Sequence, residues 1–313
     1  MKKFMYLIPF AAVALASCSN ESIDSQEKRV ALNEGTALNI APAVQGTTRG
    51  TIWTDANLTA FHVEASGSES FKTMNAGTEY DETTALSPGN TISSNVNLLS
   101  GKWVIGDGSL DYYWPNKTMT ANFTAWAPTD VSAGSYTVPT VLDNQKDIIV
   151  AFNSGAGGDF TSGVPLNFQH VMSQVIVKAL NKDASDVKIE VAGVKLTNIK
   201  NDGTLTMPIT STASGTFSWS SYTPWSSVSG QETYKDGATS ATTTSGTTLS
   251  SVATQIGSTP MLLMPQNTDK TSDLTAAPIT GAYLSVLIRA TDLTKKVAQK
   301  NADGKYVTST GGT

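Results

Sequence analysis

The sequence is poor in the residues that most enzyme and metal sites require. Its 313 residues contain one Cys and two His, and only 15% of them are charged. A structural zinc site takes about four Cys or His ligands, and a disulfide bond needs a second Cys. The composition therefore excludes disulfide bonds within the chain and most metal or thiol chemistry. We expect no cofactor, no metal and no enzymatic activity.

Positive charge and long apolar runs are also scarce. Lys and Arg number 21 against 26 Asp and Glu, which gives a formal net charge of -5. Because nucleic-acid binding needs a concentrated basic surface, we do not expect a nucleic-acid partner. Beyond the N-terminal segment, no stretch reaches the ~18 apolar residues that a membrane-spanning helix needs.

The few residues that could carry chemistry have simpler structural interpretations. His62 and His170 lie far apart in the sequence, each inside a strand pattern, which favours a packed or hydrogen-bonded side chain over a ligand. The segment from Asp107 to Asp111 resembles a calcium loop but lacks the remaining oxygen ligands and the bidentate Glu, so we interpret it as a turn. A glycosidase needs only two carboxylates ~5 to 10 Å apart, and the sequence leaves such a pair open.

The N-terminus has the pattern of an exported lipoprotein. Two lysines precede an uncharged segment over residues 4–16, which is too short to remain in a bilayer as a spanning helix. Leu15-Ala16-Ser17-Cys18 then resembles a bacterial lipobox, with the single Cys at the position that is acylated. We predict a signal peptide over residues 1–17, lipidation (palmitate) of Cys18, and a surface-exposed location on the cell outer membrane. The alternative is ordinary cleavage near Ser17, which would leave a free thiol.

The rest of the chain has the pattern of a β protein. Residues 18–36 are polar and charged and predict a tether, and residues 37–44 predict a first strand in which Pro42 favours a sheet edge. Further strands are predicted by the alternating or apolar segments 58–65, 102–105, 110–114, 119–127, 168–180, 187–199, 261–264 and 283–290.

Turn signals and small polar residues fill the spaces between these strands. Gly106-Asp107-Gly108 predicts a hairpin turn, and residues 102–127 together predict a β-meander. Residues 220–258 are mostly small and polar and predict a long surface excursion. The one helix candidate covers residues 291–300. The pattern as a whole predicts an all-β protein with two β-sandwich domains in tandem, over residues 37–182 and 183–313.

A group of aromatic residues allows two interpretations. Its members are Trp103, Tyr112, Tyr113, Trp114 and Trp126. Exposed aromatic rings stack on sugars, which makes Trp114 and Trp126 candidate glycan contacts. Alternatively, strand residues of this kind fill a sandwich core. Alternation places Tyr112 and Trp114 on one face of their strand, so we expect at least one face to be core.

Several segments, taken in their order along the chain, are similar to one family. They are the lipobox at Cys18, Thr48-Arg49-Gly50, Tyr113-Trp114-Pro115, Phe123-Thr124-Ala125-Trp126-Ala127-Pro128, Phe168-Gln169-His170, Val191-Ala192-Gly193-Val194-Lys195-Leu196-Thr197-Asn198-Ile199 and Leu262-Leu263-Met264-Pro265-Gln266. Together they resemble the fimbrillin family, the subunits and anchors of type V pili in Gram-negative bacteria. The resemblance implies two transthyretin-like β-sandwich domains.

The resemblance also implies a route of assembly. An Arg-specific protease cuts an N-terminal loop, the first strand leaves, and a strand from another subunit fills the open groove by donor-strand exchange. Arg49 lies between the predicted strand 37–44 and the strands beginning near Trp53, so it is the predicted processing site. The alternative is an exposed Arg in a loop that is never cut.

The resemblance further implies the partners and the location. The expected partners are other fimbrial subunits in a homo- or hetero-polymer, the outer membrane through the lipid on Cys18, the protease, and a host or bacterial surface receptor. The family usually continues through further C-terminal strands, whereas this sequence stops at Thr313. Two alternatives stay open: an incomplete gene product, or a member whose second domain lacks its last strand.

Two functions follow from these observations. The first is a structural fimbrial protein, a subunit, tip or anchor of a fimbrium, that acts in cell adhesion. The alternative is a monomeric outer-membrane lipoprotein that binds glycans through exposed aromatic residues.

Overall fold

The computed structural model describes residues 36–44, 53–208, 218–237, 246–257, 259–267, 281–294, 296–300 and 306–310. Within these ranges the chain forms strands and two 3₁₀ turns, Leu142–Asn144 and Gly157–Asp159, with no α-helix. The predicted all-β fold class is therefore confirmed. In the same part of the chain, no helix is long and apolar enough to cross a membrane.

The strands are numbered in chain order. The first ten are β1 (Thr36–Ala37), β2 (Ile40–Val44), β3 (Ala60–Asn75), β4 (Leu86–Leu99), β5 (Lys102–Ile105), β6 (Leu110–Trp114), β7 (Thr120–Ala127), β8 (Gly134–Thr137), β9 (Ile149–Ala156) and β10 (Val164–His170). The remaining strands are β11 (Ser173–Val175), β12 (Lys178–Ala179), β13 (Val187–Ile199), β14 (Asp202–Leu205), β15 (Trp225–Ser229), β16 (Glu232–Gly237), β17 (Thr247–Thr248), β18 (Thr254–Gln255), β19 (Met261–Leu263), β20 (Tyr283–Asp292), β21 (Lys296–Lys300) and β22 (Tyr306–Thr310).

Nine of the first ten strands form one sheet, in which β3 is the central element. The order is β1-β6-β3-β7-β9-β10-β2, and β4 joins β3 to β5. β3 is 16 residues long, and its pairing with β4 shifts register between Ser66 and Phe71. On its other side, β3 pairs first with β7 and then with β6. The long strand β3 therefore pairs with both β7 and β6 along the same edge.

The predicted β-meander over residues 102–127 is wrong in its pairing, although its strands lie where the sequence places them. β5 pairs with β4 across a tight turn at Ser100 and Gly101, whose φ angles are 50° and 79°. β6 pairs with β1 and β3, and β7 pairs with β3 and β9. The long β3 offers both β6 and β7 an edge, so the Gly106-Asp107-Gly108 turn separates β5 from β6 instead of pairing them.

The buried apolar side chains form two clusters. The first lies within the nine-stranded sheet, and Trp114 is fully buried in it. The rings of Phe71, Phe123 and Phe160 surround Trp114 at centroid distances of 5.9, 5.7 and 5.9 Å. Tilted, edge-to-face and offset aromatic contacts of this kind add to the stabilisation that burial itself provides.

The second cluster lies among the later strands. β13 pairs with β16, β17 and β20, while β11 pairs with β19 and β12 with β18. Tyr234 is fully buried here, and its hydroxyl donates a hydrogen bond to the carbonyl of Val138 at 3.4 Å. Burial raises the pKa of the Tyr234 phenol above its usual range, and the nearby carboxylates of Glu232 and Asp202 add to the shift.

Two sequence-based expectations about the second half of the chain are wrong. Residues 220–258 are not only a surface excursion, because they contain β15 to β18 and bury Trp225, Leu249 and Ile256 in the second cluster. These apolar residues stand singly among Ser and Thr, so no alternating pattern predicts the strands that contain or adjoin them. The helix candidate over 291–300 is also a strand region, since β20 ends at Asp292 and β21 occupies Lys296–Lys300.

The second cluster also includes residues from the first half of the chain. β8 pairs with β14, which in turn pairs with β15, and Val131, Val138 and Leu142 are buried in this cluster. The segment between β7 and β9 therefore leaves the first sheet, packs in the second cluster and returns. The predicted tandem domains, with their boundary at 182 and 183 and their transthyretin-like topology, remain predictions.

We predict that Leu166→Ala lowers the free energy of unfolding by about 2–5 kcal/mol, because Leu166 on β10 is fully buried in the first cluster and truncation leaves a cavity. Urea-induced unfolding, followed by tryptophan fluorescence, measures the change. Leu86→Ala is the matched control, since Leu86 is 66% exposed and should change stability by less than about 0.5 kcal/mol. Equal losses in the two variants would contradict the burial that we describe.

Candidate functional site: the groove that holds the first two strands

The segment of residues 36–44 closes the nine-stranded sheet at both of its ends. β1 pairs antiparallel with β6, with Thr36 opposite Trp114. Three residues later β2 begins and pairs parallel with β10, with Ile40 opposite Val164 and Val44 opposite Phe168. The order of strands in the sheet therefore starts with β1 and finishes with β2.

Alternate side chains of this segment enter the first cluster. Leu38 and Ile40 are buried, Val44 packs against the cluster, and Pro42 is half-buried. Opposite them, β10 contributes side chains that are fully buried: Val164, Leu166 and Phe168. Burial of one Leu or Ile side chain stabilises by about 1.5–3 kcal/mol. The segment thus fills an apolar groove that would otherwise open to solvent.

The hydrogen-bond direction explains why Pro42 is tolerated. The N–H of Val164 donates to the carbonyl of Asn39 at 2.8 Å. Because alternate residues of a parallel strand bond to the same neighbour, Asn39, Ala41 and Ala43 face β10, while Pro42 and Val44 face the opposite edge. Among the described residues no strand pairs with that edge, so the missing N–H of Pro42 breaks no ladder bond. The predicted edge position of Pro42 is confirmed.

Few interactions other than this packing hold the segment in place. Two parallel strands cannot be joined by a tight turn, and β10 lies far along the chain from β2. β1 contributes only two residues, and beside it the N–H of Leu38 donates to the carbonyl of Tyr112 at 2.7 Å. If the chain were cut after β2, the segment would be held without a covalent link on that side, by one short ladder at each end, its buried side chains and a hydrogen bond from Val44 to Asp55.

The chain is fastened again directly beyond residues 45–52. The Oδ2 atom of Asp147 accepts the backbone N–H of Trp53 at 3.0 Å and lies 2.9 Å from Nδ1 of His170. The indole N–H of Trp53 donates to the carbonyl of Asp147 at 2.8 Å. We call Trp53, Asp147 and His170 the Trp53 cluster. Asp147 is 5% exposed, and these contacts provide the hydrogen bonds that a buried carboxylate requires.

One further hydrogen bond joins the end of β2 to this region. The N–H of Val44, which faces the free edge of β2, donates to Oδ1 of Asp55 at 2.5 Å. Asp55 itself is exposed, on a turn in which the N–H of Leu58 donates to the carbonyl of Thr54 at 3.0 Å. The unpaired edge of β2 therefore has one side-chain acceptor at its C-terminal end, the carboxylate of Asp55.

The two residues predicted for lipidation and processing, Cys18 and Arg49, lie outside the described residues. Along the chain, the described residues that flank Arg49 are Val44, at the end of β2, and Trp53, in the Trp53 cluster. Both assignments remain predictions. In the sequence, Arg49 does, however, lie between residues 36–44, which fill the groove, and Trp53, which is hydrogen-bonded to Asp147.

The two candidate glycan contacts are buried. Trp114 is fully buried in the first cluster, and Trp126 is 6% exposed in the second. The indole N–H of Trp126 donates to the carbonyl of Val131 at 2.6 Å, and the imidazole of His62 lies over its ring at 4.4 Å. Neither ring offers an open face to a sugar, as the core interpretation of these aromatic residues expects.

The remaining polar candidates have structural partners. His62 approaches Oδ1 of Asn95 at 3.0 Å, so both histidines are hydrogen-bonded as expected. Oδ1 of Asp107 accepts the N–H of Ser109 at 2.9 Å, and hydrogen bonds from the Ser109 side chain and backbone lower the pKa of Asp107. In the described part of the chain, no group of three or more His, Cys, Asp or Glu is placed to hold a metal ion.

Sequence reasoning did not identify Trp53, Asp55 or Asp147. Trp53 and Asp147 lie 94 residues apart, and no local pattern links them. One weak signal is the position of Asp147 directly before the apolar run Ile148–Val150. A charged residue beside a buried strand needs a partner, but the sequence does not say which residue supplies it.

Comparisons with known proteins give one family and several solved structures. A family model described as fimbrillin-like matches residues 48–308. A comparison with curated proteins finds no match. A fimbrial protein from Bacteroides vulgatus ATCC 8482 is 16% identical, with a TM-score of 0.47 over 89% of this chain and 87% of that chain. A candidate cell adhesion protein from Bacteroides uniformis ATCC 8492 is 12% identical, with a TM-score of 0.39 over 88% of each chain.

We predict that Asp147→Ala lowers the free energy of unfolding by about 3 kcal/mol, because it leaves the Trp53 backbone N–H and the His170 ring without their acceptor. Urea denaturation measures the loss. Asp130→Ala is the control, since Asp130 is exposed and its ion pair with Lys146 should be worth at most about 1 kcal/mol. A loss for Asp147→Ala no larger than that of the control would contradict the role of the Trp53 cluster.

Proposed function

The chain belongs to the fimbrillin-like family, and on that basis we propose that it is a fimbrial structural protein that assembles with other subunits by donor-strand exchange. Membership indicates a structural protein of the cell-surface fimbrium and not an enzyme. The proposal adds the mechanism: residues 36–44 leave the groove, and a strand from another subunit takes their place.

The observation that carries the proposal is the position of β1 and β2. They end the nine-stranded sheet on both sides, and their removal would expose the apolar row Val164, Leu166 and Phe168 together with the unpaired edge of β10. An open edge beside an apolar groove is a template for an incoming strand. When the acceptor groove and the donor strand lie on different parts of one subunit, the contact is head-to-tail and extends into a fibre.

The activation step that we propose is cleavage after Arg49 by an Arg-specific protease. Arg49 lies in the linker between Val44, which ends the groove segment, and Trp53, which begins the Trp53 cluster. A cut there would leave residues 36–44 held by hydrogen bonds and packing alone. The part of the chain that begins at Trp53 would stay attached through Asp147.

Before assembly, we propose that the precursor is held at the outer membrane by acyl chains on Cys18. The lipobox at Leu15-Ala16-Ser17-Cys18 supports this attachment. Two or three acyl chains give stable anchoring, at ~0.8 kcal/mol for each buried methylene group. Cleavage after Arg49 would separate this anchor from the folded part of the chain, so attachment and assembly would be successive states of one subunit.

We predict that a trace of Arg-specific protease converts signal-free protein from monomer to polymer and that Arg49→Ala prevents the conversion. Arg29→Ala is the matched control, because a cut after Arg29 leaves residues 36–44 joined to the chain. Unheated gels and electron microscopy report ladders and fibres. Cleavage after Arg49 that yields only monomers would contradict donor-strand assembly, and no cleavage there would contradict the activation step.

We predict that Cys18→Ser abolishes acylation and releases the precursor from the membrane fraction, because serine offers no thiol for thioether formation. Incorporation of labelled palmitate and fractionation of expressing cells measure the two effects. Ser19→Ala, which keeps the lipobox intact, should retain both label and membrane attachment. Label that persists in the Cys18→Ser protein would contradict the lipoprotein assignment.

A further inference from the structure

We propose that Asp55, held in place by the Trp53 cluster, fixes the register of whichever strand lies in the groove. It does so by accepting one backbone N–H from the free edge of that strand. For β2 this N–H belongs to Val44, at 2.5 Å from Oδ1 of Asp55. The inference rests on the proposed function where the strand is a donor from another subunit, but the contact itself exists in the uncut chain.

A contact on the free edge of the strand can distinguish one register from another. The edge of β2 that faces β10 has a complete ladder, which every extended segment can form alike. On the opposite edge no strand of the described residues competes, so a single side-chain acceptor there meets one particular N–H. A carboxylate is a strong acceptor for this purpose, because hydrogen bonds to charged groups are shorter and stronger than neutral ones.

Asp55 keeps its position by contacts that do not involve β2. On one side, Trp53 is fastened to Asp147 by both its backbone and its indole N–H. On the other side, the N–H of Leu58 closes a turn onto Thr54, and the Leu58 side chain is 2% exposed in the first cluster. The turn that carries Asp55 is thus anchored at both ends to the body of the protein. We expect it to remain in place when the groove is emptied.

The consequence for recognition is a choice between registers. Inward side chains recur every second residue, at Leu38, Ile40, Pro42 and Val44, so a slip of two residues would keep the apolar face inward. Such a slip in one direction would bring Pro42 to Asp55, and proline has no N–H to donate. The groove therefore selects an extended segment with alternating apolar residues and a residue other than proline at the Val44 position.

Peptide exchange into the processed protein tests this proposal directly. The full chain is cut after Arg49, and a peptide of residues 36–48 is added, either as the amide or with an ester in place of the Ala43–Val44 amide, which removes the Val44 N–H. We expect the wild-type protein to release the ester peptide about fivefold faster than the amide. In Asp55→Ala the amide peptide should leave faster and the ratio of the two rates should fall, leaving only the difference that the weaker ester carbonyl of Ala43 makes in the ladder to β10.

The comparison of the two peptides separates a register contact from a general structural effect. If Asp55→Ala speeds the release of the amide and the ester peptide equally, Asp55 does not read the Val44 N–H and the proposal is overturned. Equal release of the two peptides from the wild-type protein would overturn it as well.

A second measurement tests the contact between Asp55 and Val44 even if the proposed function fails, that is, if Arg49 is not cut or no peptide enters the groove. In the uncut chain, Asp55→Ala should raise the amide hydrogen-exchange rate of Val44 about fivefold. The rate for Leu38, whose N–H is bonded to Tyr112, should stay unchanged. Unchanged exchange at Val44 would reject the contact independently of any assembly step.

Discussion

The apolar face between β6 and β10 has to be covered, and the rest of the first sheet depends on how this is done. Residues 36–44 cover it by pairing with β6 at one end of the sheet and with β10 at the other. The covering segment is not part of a hairpin with either neighbour, so it is stabilised by the side chains that it buries and not by a local turn. In the proposed assembly mechanism, this is the segment that a strand from another subunit would replace.

A buried carboxylate holds the chain directly beyond residues 45–52. Asp147 lies two residues before β9, and its side chain would be costly to bury without donors. Trp53 and His170 supply them, which ties the chain beyond residues 45–52 to β9 and β10. The short linker of residues 45–52 therefore separates residues 36–44 from the part of the chain that begins at Trp53. Asp55, on the body side of this linker, remains close enough to contact the segment.

Much of the fold could be predicted from local pattern. Alternation and turn residues located the strands around Trp103, Trp114 and Phe123, and Pro42 indicated a sheet edge. Pairing could not be predicted in the same way, because β6 and β7 share an edge of β3 that only its 16-residue length provides. The burial of single apolar residues such as Trp225 and Tyr234 could not be predicted for a related reason: it depends on strands that are distant in sequence.

The sequence by itself determined the all-β class and the family resemblance, and it predicts the lipidation of Cys18 and the cleavage after Arg49, because these depend on residue type and short-range order. Only the tertiary structure decided that residues 36–44 close both ends of one sheet, that Trp114 and Trp126 are core residues, and that Trp53, Asp55 and Asp147 border the groove. Those facts depend on contacts between residues far apart in the chain. Such contacts arise from the need to bury apolar surface and pair buried polar groups at once, and no local segment encodes them.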